Sequence, residues 1–440
     1  MSRRFVITRT PIADRHPTVC AVFEDHQMLE VQCIPQDAPP QILNNIYVGR
    51  VSQVVKNIGA AFVEIESGKK CYLPLTEVKD PVYVKRISEK QPLSQGDEIV
   101  VQVIKEAIKT KDPQVTTNLS LVGVYSVVTS ADKRLGISGK IDAQKREALR
   151  KLAQTVYDER FGVVVRTNAA DMIRTVQVED KADAKVEDKV ENKAEVEGNT
   201  RGSKQADGSA ILTAEIMTLQ KQMQEIISIA PYRKVYSTLY QAPPEYVRLL
   251  QNQPMDTLEE IVTDDVPVYE ELAAFAKQYP SLHLTEKLTL YQDTRLDLHK
   301  LYSIQVQLER ALQKKIWLKS GANLLIEPTE AMTVIDVNSS KNTKKKLPEE
   351  QHLQINLEAA EEIAKQLRLR NISGIIIIDF IDMKSAEDQN RLLSAIRSFV
   401  RTDPVKTEVV DLTKLGLMEL TRKKMRRPLL EQIGIAKEKI

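Results

Sequence analysis

Two apolar runs in the last third of the chain each end on an aspartate: Thr333-Val-Ile-Asp336-Val-Asn338 and Gly374-Ile-Ile-Ile-Ile-Asp379-Phe-Ile-Asp382. Carboxylates brought together repel each other unless a proton or a cation lies between them. A hard divalent cation meets that need. Mg²⁺ commonly takes one or two protein carboxylates and keeps waters and phosphate oxygens in its other positions. Asn338 lies two residues beyond Asp336, on the same side of an extended chain, so it can orient a water or a phosphate without altering the charge. The chemistry open to such a set is metal-assisted hydrolysis of a phosphate ester.

Whether the pair can form depends on the elements that carry it. Leu353, Leu357, Ala360, Ile363, Ala364 and Leu367 recur at three- and four-residue steps, the apolar stripe of an amphipathic helix. Pro348 precedes this helix and Gly374 follows it. A helix between two Val- and Ile-rich strands predicts a right-handed crossover and parallel strands. Both strands then finish at one sheet edge, and Asp336 and Asp379 meet in the crevice outside their carboxyl ends, where open α/β sheets hold ligands.

The stretch Thr333 to Met425, with IDVNSSKN, INLEAAEEIAKQLRLRNISGIIIIDFIDM and LGLMELTRKKMR, closely resembles the catalytic core of the bacterial ribonuclease E/G family. The resemblance implies that Asp336 and Asp379 bind a catalytic Mg²⁺, with Mn²⁺ as the alternative ion, that Asn338 assists, and that Asp382 supports the site structurally. It implies a multidomain α+β fold: an S1-type OB β-barrel and a 5′-sensor inserted in a split RNase H-like subdomain, followed by a DNase I-like α/β catalytic domain. The expected divisions are 1–40 and 211–311 for the RNase H-like subdomain, 41–123 for the barrel, 124–178 for the sensor, 179–210 for an insertion and 312–440 for the catalytic domain.

The remaining composition fits this frame. A chain of 440 residues is too long for one core. A net charge of +2 does not advertise a polyanion partner, so a nucleic-acid surface must be a local patch. No long apolar segment follows Met1-Ser-Arg-Arg-Phe5, so neither a leader nor a membrane contact is expected. Cys20, Cys33 and Cys71 are scattered without a CxxC pair, which argues against disulfides or zinc and fits the reducing cytoplasm.

Strand-like stretches at Phe5–Ile7 and Thr18–Phe23 are too little to fold alone and complete a later domain. Short strands then follow at Ile46–Val51, Ala60–Ile65, Cys71–Pro74 and Glu98–Val103, with turn signals at Asn57–Gly59, Ser67-Gly68 and Gly96-Asp97. This spacing suggests a small barrel such as an OB fold. Ala61, Val63 and Ile65 share one face and Phe62 the other, so Phe62 stands on the surface if the first face is core. A surface aromatic on such a barrel is a platform for stacking bases. The family likeness implies the same role for Tyr72, which keeps a π-face, and puts Lys109 and Lys111 near the RNA path.

A second small α/β piece ends in Phe161-Gly-Val-Val-Val-Arg166-Thr167. By resemblance Arg166 and Thr167 form a pocket for an RNA 5′ monophosphate, with Leu135–Gly139 completing it. An Arg fork and a Thr hydroxyl suit phosphate oxygens. The stretch from Glu179 to Gly208 has no aromatic and a rhythmic Lys181, Lys185, Lys189, Lys193 spacing, so it reads as a solvated insertion, disordered or transiently helical. Helical patterns return at Thr213–Gln224 and Tyr269–Lys277, and these are assigned with the first 40 residues to the RNase H-like scaffold. A further helix is expected over Leu298–Ile316, leading into Trp317.

Because the carboxylate site is acidic, a phosphodiester substrate needs positive charge nearby. Lys341, Lys344, Lys345 and Lys346 form one candidate run, and Arg422, Lys423, Lys424, Arg426 and Arg427 another. Lys406 falls where the family has a basic residue near the scissile phosphate. The family's usual cysteine element after the catalytic domain is missing: Arg427-Pro-Leu-Leu runs on to Ile440 without cysteine. No zinc is therefore expected, and the chain is either a monomer or a homodimer without a zinc link. The long C-terminal scaffold that some members of the family carry is likewise not expected.

The resulting expectation is a cytoplasmic Mg²⁺-dependent endoribonuclease. It cuts single-stranded A/U-rich RNA, rRNA precursors and mRNA, with a 5′-monophosphate preference. Two alternatives stand beside it: a non-catalytic RNA-binding protein, and a DNA-directed nuclease on the same fold.

Overall fold

The computed structural model describes residues 2–12, 14–36, 41–107, 112–172, 199–339, 349–401, 403–413 and 415–434. The chain divides into two compact units, one made of 1–39 with 254–440 and the other of 40–253.

In the second unit the expected barrel forms. Strands Ile46–Val55, Ala60–Glu66, Lys69–Pro74, Gln114–Thr116 and Glu98–Lys105 pair in that order, and the last closes on the first. Alternation drives the closure: Val51, Ala61, Val63, Ile65, Cys71, Leu73, Ile99, Val101 and Val103 fill the interior. Gly59, Gly68 and Gly96 take positive φ at the predicted turns, where a side chain would be strained. A four-stranded sheet follows, ordered Ser120–Val122, Ser126–Thr129, Gly162–Val165, Leu135–Ile137.

A long helix, Asn199–Ile229, backs that four-stranded sheet. It begins inside the stretch expected to be a solvated insertion; residues 179–198 of that stretch lie outside the described residues. Thr213–Gln224 therefore belongs to this second unit, not with the first 40 residues. The reason is local. Leu212, Ile216, Met223 and Ile226 bury one stripe of the helix, and the buried Glu215 carboxylate accepts Val124 N (2.6 Å), Tyr125 N (2.9 Å) and Ser126 Oγ (2.7 Å).

The first unit holds two sheets. One runs Leu288–Leu290, Leu258–Thr263, Arg3–Arg9, Thr18–Glu24, Gln27–Ile34, so the first residues do complete a later domain. Its strand Gln27–Ile34 was not anticipated, because Gln27, Glu30 and Gln32 dilute the apolar signal. The expected helix Leu298–Ile316 is broken: Ser303 takes φ of 50°, the second piece ends at Leu312, and Lys315–Trp317 is a strand.

The other sheet has six strands, ordered Lys315–Trp317, Asn323–Pro328, Met332–Asn338, Gly374–Asp379, Leu417–Arg422, Thr407–Leu412. Helices Glu349–Leu369 and Ala386–Arg401 cover one face, packing Leu353, Ala360, Ile363, Leu367, Leu392 and Ile396 against Ile335, Ile376 and Ile378. Cys20, Cys33 and Cys71 are all buried thiols, and burial pushes Cys33 and Cys71 up to about 12.

Candidate active site

Met332–Asn338 and Gly374–Asp379 pair in parallel, and the register sets Asp336 directly opposite Asp379. Adjacent strands lie about 4.8 Å apart, so the carboxylates are neighbours. Side chains alternate along both strands. Ile335, Val337, Ile376 and Ile378 enter the helix-covered core, which sends Asp336, Asn338 and Asp379 to the opposite face. Asn338 Nδ2 donates to Asp336 Oδ2 at 2.6 Å and fixes the direction of that carboxylate. Partial burial, and then the neighbouring Asp336 and Asp382 carboxylates, hold the Asp379 carboxyl above its ordinary range.

A surplus of negative charge at a sheet edge invites a cation. Among the described residues no group of three or more His, Cys, Asp and Glu side chains is gathered to enclose one. Asp336 and Asp379 are the two carboxylates that the strand register brings together there.

The strand ends at Asp379, not at Asp382, and the loop that follows is pinned by the two covering helices. The fully buried Asn356 clamps Ile381 from both sides: its Nδ2 donates to Ile381 O at 2.8 Å, and its Oδ1 accepts from Ile381 N at 3.0 Å. His352 Nδ1 lies 3.0 Å from Asp382 O, and Gln389 Nε2 donates to Met383 O at 2.8 Å. Sequence reasoning missed Asn356. The available signal was an amide on the apolar stripe itself, three residues after Leu353 and four before Ala360, because a polar group on a buried stripe needs a specific partner.

On the barrel, Phe62 and Tyr72 are directly opposed on neighbouring strands, with ring centroids 6.2 Å apart in an edge-on arrangement. Both rings are half-buried and point away from the interior. Lys109 and Lys111 lie outside the described residues, as do Lys341, Lys344, Lys345 and Lys346.

Thr167 follows the strand Gly162–Val165, and its hydroxyl lies 2.9 Å from Ser138 Oγ. Arg166 is used within the protein: its guanidinium donates to Gly123 O, Val124 O, Gln251 O and Asn252 Oδ1. It thus ties the sheet's first turn to the segment after helix Glu245–Gln251.

The structure does not bring Lys406 to the carboxylates. Thr407 pairs with Arg422, which pairs with Gly374, so Lys406, one residue further out, sits at the far end of the sheet, about 20 Å along the strand direction from Asp379. It pairs with Glu408 instead. The last basic run splits. Arg422 is buried against Asp403, Asn371 Oδ1 and Ile372 O, and Arg426 is ion-paired with Glu30, while Lys423, Lys424 and Arg427 are exposed.

The structure thus sets an aromatic pair on a closed barrel and an aspartate pair on the face of an α/β sheet opposite its helices. Comparison with known proteins identifies the family. Residues 41–117 match the S1 RNA binding domain, and residues 120–200 and 200–425 match the ribonuclease E/G family. Ribonuclease G of Escherichia coli K12 is 30% identical over 441 residues, covering 97% of this chain and 81% of that protein. Ribonuclease G of Haemophilus influenzae is 30% identical, covering 94% and 78%. Ribonuclease E of a Synechocystis species is 31% identical, covering 96% and 58%. The chain belongs to the ribonuclease E/G family, and it is an RNA-binding endoribonuclease of RNA processing. Among the described residues no helix is long and apolar enough to cross a membrane.

Proposed function

We propose that this endoribonuclease depends on Mg²⁺, cuts single-stranded A/U-rich RNA in rRNA precursors and mRNA, prefers a 5′ monophosphate and acts in the cytoplasm. The observation that supports this most is the register that opposes Asp336 and Asp379 at the carboxyl ends of a parallel pair. In this reading Asp336 and Asp379 hold the ion. When bound, Mg²⁺ supplies positive charge to the phosphodiester and lowers the pKa of a water at the site. Asn338 keeps Asp336 aimed, and Asn356 keeps the loop after Asp379 in place. Water adds to phosphorus, the P–O3′ bond breaks, and the products carry a 5′ phosphate and a 3′ hydroxyl.

Phe62 and Tyr72 stack bases of the incoming strand, and the Thr167 and Ser138 hydroxyls receive the 5′ phosphate at a corner held by Arg166. The six-stranded sheet with its two helices is read as the DNase I-like subdomain, and the five-stranded sheet as the RNase H-like one. The test uses one A/U-rich RNA with either a 5′ phosphate or a 5′ hydroxyl, with and without Mg²⁺. Expected are internal cuts that need the ion, favour the phosphorylated strand and disappear in Asp379→Asn with RNA binding retained. Full activity in Asp379→Asn overturns the assignment.

A further inference from the structure

The outermost strand of the six-stranded sheet, Lys315–Trp317, alternates its side chains: Ile316 packs toward the helix-covered core, while Lys315 and Trp317 are exposed. The register carries both to the site. Lys315 opposes Leu325, which opposes Asp336, and Trp317 opposes Asn323, which opposes Asn338. Register partners share a face, so Trp317 stands on the carboxylate face, two strands from Asn338. That is about 10 Å, a distance that a short length of single-stranded RNA spans.

Trp317 is the chain's single tryptophan, and it is 65% exposed. Tryptophan, apolar over most of its ring with one polar N–H, is enriched at binding surfaces. Its neighbour carries the charge that a phosphate would want, since Lys315 Nζ lies 4.1 Å from the ring centroid. The ring is also firmly mounted. Lys319 N and Ser320 N, at the tip of the hairpin, both donate to Glu358 on the covering helix, and Leu318 N donates to Ala322 O at 2.8 Å.

We propose that Trp317 and Lys315 form a nucleobase subsite beside the cleavage site: the indole stacks an unpaired base of the RNA being cut, and the ammonium contacts the adjoining phosphate. The occupant is RNA because the patch is continuous with the carboxylate site and pairs a π-face with a cation, the combination that tracks single strands without reading sequence. This inference rests on the reading of Asp336 and Asp379 as the cleavage centre.

The sole tryptophan makes the test direct. The full-length Asp379→Asn protein is titrated with uncut single-stranded RNA while indole fluorescence is followed, and binding is monitored separately by the anisotropy of a labelled strand. Saturable quenching is expected, and it should vanish for a strand abasic at one position near the cleavage site. In the otherwise wild-type protein, Trp317→Ala should raise KM about tenfold or more with kcat held, on the scale of losing one stacked base. Trp317→Tyr should restore most of it, and the abasic strand should no longer distinguish the variants.

RNA binding that leaves the fluorescence unchanged, with KM of Trp317→Ala within about twofold of wild type, overturns the subsite. The two readings separate cleanly. Cleavage that is sensitive to Asp379 but not to Trp317 sinks only the subsite, whereas quenching in Asp379→Asn together with no cleavage by the wild-type protein in Mg²⁺ supports the RNA contact and removes the nuclease mechanism.

Discussion

Asn356→Ala is the sharpest perturbation of the site that leaves every proposed ligand in place. Asn356 is completely buried and bonds both the N–H and the C=O of Ile381, two residues beyond Asp379. Its removal deletes two hydrogen bonds, each contributing about 1 kcal/mol net, and strands two backbone groups at about 1–3 kcal/mol apiece if the loop stays. The loop can escape that cost only by rising toward water, and Asp379 moves with it. A displacement of about 1 Å at a reacting centre costs on the order of 100-fold in rate. The assay is single-turnover cleavage at saturating RNA across a Mg²⁺ titration, beside thermal unfolding. The cleavage rate should fall about 100-fold and the Mg²⁺ requirement should rise, while RNA binding without Mg²⁺ is retained. Asn356→Asp keeps the acceptor for Ile381 N and loses the donor, so it should fall between. A variant that cuts within about threefold of wild type at the same Mg²⁺ concentration refutes the claim that this clamp positions Asp379.

Phe62→Ala and Tyr72→Ala should each raise KM for single-stranded RNA about tenfold at constant kcat, and Phe62→Tyr should change it little, as measured by steady-state cleavage. Arg422→Ala leaves Asp403 buried without its guanidinium partner, at a cost of about 3–5 kcal/mol. The urea midpoint should drop accordingly, and Arg422→Lys should not recover it, because one ammonium cannot reach Asp403, Asn371 and Ile372 together; an unchanged midpoint would contradict the structural role given to this residue.

What was legible in the sequence was what periodicity encodes. The apolar stripe from Leu353 to Leu367 and the two Val- and Ile-rich runs were enough to place Asp336 and Asp379 on one edge, and the alternation of Ala61, Val63 and Ile65 was enough to turn Phe62 outward. Periodicity says less about which element a helix joins. The helix at Thr213 followed the same three- and four-residue rule as any other, and its destination was decided by Glu215, whose carboxylate finds three donors at Val124, Tyr125 and Ser126. Cationic residues were the least legible. Arg422 and Arg426 look like neighbours of Lys423 and Lys424, yet the first two are spent on Asp403 and Glu30. Lys406 was placed by family resemblance alone, and the strand direction carries it to the end of the sheet away from the carboxylates.

The parallel pairing explains why so much of the site depends on one helix. Every other neighbouring pair in the six-stranded sheet is antiparallel. In an antiparallel pair the end of one strand meets the start of the next, so two strand-end carboxylates cannot be opposed. Only Met332–Asn338 and Gly374–Asp379 can oppose them, and that requires a crossover, which the helix Glu349–Leu369 supplies. The same helix then supplies Asn356 and His352 to the loop after Asp379, and Glu358 to the hairpin that carries Trp317. The element that makes the acidic pair topologically possible also holds the pair's second member and the exposed indole in position. Substitutions along it should therefore alter cleavage without touching RNA.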